Sequence, residues 1–164
     1  MKGNSAVYAG TFDPITFGHC DIVERALHIF DSLVIAVAEG NKSGGVFSVA
    51  ERVSLVEQSL AGFADRVRVE AFSGLLVDYA KKRGMSVVVR GLRAVSDYEY
   101  ESQMAMTNRQ LSPDLETIFL MTSWKYSFVS SSTVREVARN AGDVSSLVPD
   151  AVTKALMRRF PCQK

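Results

Sequence analysis

Short, partly β-branched apolar runs recur along the chain at residues 6–9, 33–38, 67–72, 87–89 and 118–121, with amphipathic stretches between them. Runs of this length suit strands buried on both faces, as in a parallel sheet. Residues 19–30 set Ile22, Val23, Ala26, Leu27 and Phe30 on one helical face. Residues 49–63 do the same with Val49, Val53, Val56, Leu60 and Phe63. Ser48 with Glu51, and Ser96 with Glu99, have capping-box spacing. Gly84 and Gly142 follow helical stretches where a left-handed cap is expected, and a last helix is expected over 149–160. This alternation predicts one α/β domain over 1–164, doubly wound and Rossmann-like, with a five-stranded parallel sheet, helices on both faces and a C-terminal helix. In such a fold ligands bind at the carboxyl ends of the strands. Residues 41–46 (NKSGGV), with two adjacent glycines, are expected to form the most mobile loop.

Composition narrows the function classes. Lysine and arginine number 19 against 18 aspartates and glutamates, so no global field favours nucleic acid or an anionic membrane. No apolar stretch approaches the roughly 20 residues needed to span a bilayer, and the N-terminus lacks the apolar core of a signal peptide, so a cytoplasmic protein is expected. Cys20 and Cys162 lack metal-site spacing and read as ordinary small side chains. Any anion bound here must therefore be held by a local cluster.

In the predicted topology, the segments after strands one, two, four and five meet at one sheet edge. Gly10 closes the first strand, and residues 11–18 turn into a helix expected to begin near His19. A helix mouth offers unpaired N–H groups to a phosphate, and an imidazole there adds two possible donors for charge developing on a phosphoryl oxygen. The plainer role for His19 is to cap its own helix. In YSFVSSSTVRE (126–136), three successive serines before a helix can surround a phosphate, although one hydroxyl suffices for an N-cap. Arg90 and Arg93 follow a buried strand and suit forked phosphate contacts. Alternatively they form surface salt bridges with Asp97, Glu99 or Glu101, and those acids could also hold the guanidinium groups in position or reach toward a magnesium-bound ligand. Lys42 lies in the glycine-bearing loop and could swing over a bound anion.

Taken together, Gly10-Thr11-Phe12-Asp13-Pro14, Thr16-Phe17-Gly18-His19, Arg90-Gly91-Leu92-Arg93-Ala94 and Ser130-Ser131-Ser132 resemble, in order and over nearly the whole chain, the bacterial phosphopantetheine adenylyltransferase family. The resemblance implies adenylyl transfer from ATP to 4′-phosphopantetheine, Mg²⁺ as cofactor and a cytoplasmic homohexamer, with no nucleic-acid or membrane partner. By similarity, His19 is the catalytic residue, and Thr11, Arg90, Leu76 and a loop lysine meet phosphopantetheine, with Leu75 beside Leu76 on an apolar wall. The family's lysine position holds Ser43, with Lys42 one place earlier. The implied ATP site comprises Thr11, Phe12, His19, Gly91, Leu92, Arg93, Glu101, Tyr126, Ser127, Phe128, Val129, Ser130, Ser131 and Ser132. Ala9 and Thr122 stand where the family generally has proline.

This chemistry fits a chain without an evident nucleophile–base pair. A phosphate nucleophile has a second pKa near ~6 and is largely dianionic at neutral pH. The task is to bring two polyanions together, which positive and hydrogen-bonding groups accomplish. Competing readings are another nucleotidyltransferase, such as one acting on nicotinamide mononucleotide, and a non-catalytic ATP-binding sensor.

Overall fold

The sheet is built outward from β1. The computed structural model describes residues 4–40 and 45–161. Within them β1 (Ser5–Gly10), β2 (Ser32–Ala38), β3 (Val67–Phe72), β4 (Val87–Leu92) and β5 (Glu116–Met121) form one five-stranded sheet in the order β3-β2-β1-β4-β5. Every neighbouring pair is parallel. Alternate residues of β1 serve opposite faces, as a pleated strand requires. Ala6 and Tyr8 join the large core with Ile22, Val23 and Ala26 of α1 (Phe17–Leu27). Val7 and Ala9 join a smaller cluster with Leu76 and Tyr79 of α3 (Leu76–Lys82). Helices thus cover both faces, and the chain crosses from β3 back past β1 to β4, placing the topological switch between β1 and β4.

Several element boundaries depart from the sequence pattern. β4 runs three residues beyond the apolar triplet, because Arg90, Gly91 and Leu92 pair with Phe119, Leu120 and Met121 of β5. Arg90 therefore sits inside the strand, and only Arg93 lies past its end. The ladder continues through the N–H of Thr122, which donates to Leu92 O at 2.8 Å; a proline there would have no such donor. Helix α1 starts at Phe17 rather than His19, because Thr16 is its N-cap. The 49–63 pattern divides into α2 (Val49–Ser59) and a 3₁₀ turn, Ala61–Phe63. Both outer strands were expected to be buried, yet β5 is half-exposed along most of its length, with Met121 56% exposed.

Capping follows the sequence in part. Ser48 and Glu51 form their box, with Ser48 N donating to Glu51 Oε2 at 2.7 Å and Glu51 N donating to Ser48 Oγ at 3.3 Å. At the second signature, Ser96 to Glu99, the N-cap is instead Ala94, and α4 (Val95–Leu111) is already helical at Val95. Gly84 takes the left-handed conformation at φ 65°. Gly142 does not: after α5 (Ser131–Arg139) that conformation falls to Ala141, at φ 56°. Ala141 N donates to Ala138 O at 3.1 Å and Gly142 N to Val137 O at 2.9 Å, a Schellman ending. Glycine is needed at 142 because a Cβ would stand 2.7 Å from Val137 Cγ1. The closing helix is α6 (Asp150–Arg159), with Pro149 at its N-cap. Most of the expected mobile loop, residues 41–44, lies outside the described residues.

A buried side chain joins the elements at the carboxyl edge. Arg52 of α2, 2% exposed, donates from Nη1 to Thr11 O at 2.6 Å and Ala38 O at 2.8 Å, and from Nε to Phe47 O at 3.3 Å. Replacing it by methionine keeps much of the volume and leaves those carbonyls without their donor. Arg52→Met should cost about 2–4 kcal/mol, read as a lower urea midpoint at unchanged slope.

Candidate active site

The turn after β1 is held from two further directions. Asp13, 1% exposed, accepts N–H bonds from Val46 at 2.9 Å and Phe47 at 3.0 Å. Arg135 of α5 donates Nη1 to Asp13 O at 2.5 Å. Between them Phe12 adopts φ 49°, a left-handed conformation that costs a non-glycine residue roughly 1–2 kcal/mol. Its ring is 2% exposed and meets Tyr8 (5.5 Å between centroids) and His19 (5.1 Å) edge to face. Beyond this turn a cleft of about 610 Å³ opens at the carboxyl ends of β1 and β4.

His19 enters the cleft as the third residue of α1 and also caps that helix, the plainer of the roles read from the sequence. Thr16 N donates to His19 Nδ1 at 3.0 Å, and the Thr16 hydroxyl lies 2.9 Å from the same atom. In return Thr16 Oγ1 accepts from His19 N at 3.4 Å. Because Nδ1 accepts a backbone N–H, the neutral ring carries its proton on Nε2. The imidazole therefore offers one donor, not two. Burial, then the charges of Arg93 and Arg90, push its pKa down to about 4.

Both arginines at the end of β4 are paired. Arg90 meets Glu101 through two bonds, at 2.7 and 2.6 Å. Burial works against the charged guanidinium, but the hydrogen bonds and charge of Glu101 prevail and raise its pKa. Arg93 meets Asp97 through two side-chain bonds at 3.0 Å. Burial opposes ionisation of Asp97 too, yet the bonds from Arg93 hold its carboxyl below the ordinary value. With His19 neutral, the charged groups among the described lining residues are three arginines (90, 93 and 135) against two carboxylates.

The serine segment supplies mostly backbone. Ser130 Oγ caps α5 by accepting from Thr133 N at 3.0 Å, and it lies 2.8 Å from Ser132 Oγ. Ser131 Oγ donates to Pro14 O at 2.8 Å. The hydroxyls thus fasten the loop, and Ser130, Ser131 and Ser132 border the cleft at the start of α5, where a helix has N–H groups without internal partners.

Of the site residues expected from sequence, Thr11, Phe12, His19, Arg90, Gly91, Arg93, Glu101, Val129, Ser130, Ser131 and Ser132 line this one cleft. Gly91 also has a packing reason, since a Cβ there would stand 2.9 Å from Ile22 Cγ1. Five others lie off its lining. Leu92 is buried, Phe128 is 68% exposed, and Ser127 bonds Trp124 O at 2.8 Å. Tyr126 stacks on Phe17 at 5.9 Å, and Leu76 opens α3, half-buried against the smaller clusters. Lys42 and Ser43 lie outside the described residues. Sequence reasoning gave no site role to Tyr8, Thr16, Tyr100, Thr122 and Arg135, which also line the cleft. Thr16 had a legible signal, a threonine three residues ahead of a side chain able to complete a capping box. Tyr8 had none, as an aromatic in an apolar run.

Magnesium finds no ready cage. Among the described residues no group of three or more His, Cys, Asp or Glu could hold a metal ion. Both cleft carboxylates are engaged by arginines. No described helix is long and apolar enough to cross a membrane.

The family model described as cytidylyltransferase-like matches residues 7–137. The phosphopantetheine adenylyltransferase of Geotalea daltonii is 51% identical over 155 residues, covering 94% of this chain and 96% of the relative. That of Thermotoga neapolitana is 53% identical, with 94% and 96% covered. This chain belongs to the phosphopantetheine adenylyltransferase family. The relative of the same name from Alkaliphilus metalliredigens, 48% identical, covers 93% of this chain and 97% of its own. The phosphopantetheine adenylyltransferase matches thus cover more than nine-tenths of the chain.

The depressed pKa sets the response to pH. Between about 4 and 6.5 the unfolded chain binds the His19 proton and the native chain does not, so this group's contribution to stability falls as pH falls through that window. NMR titration of the ligand-free chain, with the two histidines distinguished by a His28→Gln variant, should place the His19 midpoint near 4. A midpoint at or above 6.5 would show that the ring is not held neutral.

Proposed function

We propose that this chain transfers the adenylyl group of ATP to 4′-phosphopantetheine, giving dephospho-coenzyme A and pyrophosphate. The observation that carries the reading is an imidazole whose Nδ1 accepts the Thr16 N–H, lining one cleft with two arginine forks and a helix start. An oxygen of the acceptor phosphate attacks the α-phosphorus of ATP, and the bond from that phosphorus to the pyrophosphate oxygen breaks on the opposite side. The acceptor needs no deprotonation at neutral pH, so His19 acts as a hydrogen-bond donor to the non-bridging oxygens rather than as a base. Thr11 orients the attacking phosphate, and Arg90 holds it with help from Lys42 or Ser43. Arg93, Gly91 and the first turn of α5 take the triphosphate. Leu75, 56% exposed, and Leu76 border the pantetheine arm. Mg²⁺ arrives on the nucleotide phosphates as part of the substrate, in keeping with its preference for phosphate and water ligands.

Chain 1–164 acts in this reading as one nucleotidyltransferase domain, in the cytoplasm, and as a homohexamer. Large apolar side chains stay uncovered on and beside α4 and β5, among them Val95 (86% exposed), Met106 (66%) and Trp124 (88%), and assembly would cover them.

Purified protein given ATP should release pyrophosphate with 4′-phosphopantetheine and not with nicotinamide mononucleotide; the reverse preference would defeat this reading. His19→Ala should lower kcat about 100-fold to 1000-fold with little change in ATP affinity. His19→Gln, which restores an N–H donor without a titratable ring, should recover part of that loss; a proton-transfer role for His19 would leave both variants equally slow.

A further inference from the structure

The two cleft arginines are wired alike. Arg90 gives Nε and Nη2 to the two oxygens of Glu101 at 2.7 and 2.6 Å, and Nη1 to Ala9 O at 2.5 Å. Arg93 gives Nε and Nη2 to the two oxygens of Asp97 at 3.0 Å each, and Nη1 to Val129 O at 3.3 Å. The two acids stand four residues apart on α4, so they share one helical face. A guanidinium has five N–H donors in a fixed plane. Three are used in each arginine, and the remaining two lie one on each terminal nitrogen. Side-on pairing through Nε thus leaves the terminal edge available for a phosphate and fixes the plane in which it can bind.

We propose that Glu101 and Asp97 are paired positioning residues that divide the cleft between the two substrates: Glu101 aims Arg90 at the acceptor phosphate, and Asp97 aims Arg93 at the nucleotide phosphates. The assignment of substrates to arginines rests on the reading under Proposed function. It moves Glu101 from direct contact with ATP, the role implied by resemblance, to an action through Arg90. The geometry supports this move because both Glu101 oxygens already accept from that guanidinium. A displaceable latch fits less well: the Glu101 side chain is 13% exposed, and releasing Arg90 would strand a carboxylate with little water. The shared helix makes the two forks one rigid unit, so their spacing is set by α4 rather than by the ligands.

Steady-state kinetics on the full chain tests this by a crossed pattern. Glu101→Gln keeps the shape but turns one acceptor into a donor facing Nε or Nη2. It should raise KM for 4′-phosphopantetheine roughly 10-fold to 100-fold and leave KM for ATP within about twofold. Asp97→Asn should do the reverse. In an Arg90→Lys background the Glu101→Gln effect should shrink to about twofold or less, since both changes break one unit. Should the amide variant not fold, Glu101→Asp, which withdraws the charge by one methylene, carries the same expectation. A rise in KM for ATP on Glu101→Gln overturns the proposal in favour of direct nucleotide contact. A fall in KM for the acceptor overturns it in favour of a latch, and additive effects with Arg90→Lys overturn it in favour of a structural role. A wild-type chain with no pyrophosphate release on 4′-phosphopantetheine would instead remove the activity itself, and the division of substrates with it.

Discussion

Arg52 carries a positive charge into the interior and gives it to the carbonyls of Thr11, Ala38 and Phe47. These belong to the turn after β1, the end of β2 and the approach to α2, segments well separated in sequence. Asp13 answers from the opposite direction, accepting N–H bonds from Val46 and Phe47. The strained Phe12 turn persists because its surroundings fix it on every side, and through its ring that turn supports His19. The position of the His19 imidazole is thus a consequence of backbone carbonyls held by a side chain on α2.

His19 unites local structure and chemistry in one set of bonds. The reciprocal contacts with Thr16 that begin α1 also choose the tautomer, and burial, then the charges of Arg93 and Arg90, keep the ring uncharged. A donor that stays neutral beside two guanidinium groups adds no like-charge repulsion to the empty site. Catalysis by orientation and hydrogen bonding fits that state better than catalysis by proton transfer.

Much of this was legible in the chain. The parallel α/β order followed from five apolar runs separated by amphipathic stretches, since buried strands and two-faced helices leave different periods in a sequence. Boundaries were less legible, because pairing and capping decide them. β4 extends through a charged residue and a glycine only because β5 lies alongside. α4 starts ahead of Ser96 although a capping signature was present. Likewise a glycine at 142 reads as a left-handed cap when the structural need is for lack of volume against Val137. For the site, most but not all residues carried by contiguous motifs line the cleft, whereas Tyr8 and Arg135 reach it from positions that look like core strand and helix surface. The pairing of each arginine with one particular acid depends on where α4 lies, and spacing alone left several acids open.

The paired arginines also bear on how the cleft meets its substrates. Charges already matched by neighbours cast little potential past a Debye length, about 8 Å at physiological ionic strength. Among the described lining residues only one positive charge is left over. The described lining therefore exerts little pull from a distance on two highly anionic molecules, or on the many other anions of a cell. Recognition is deferred to the last few ångströms, where the planes of the guanidinium groups and the open amides of a helix start distinguish a correctly shaped phosphate ester from a mere negative charge.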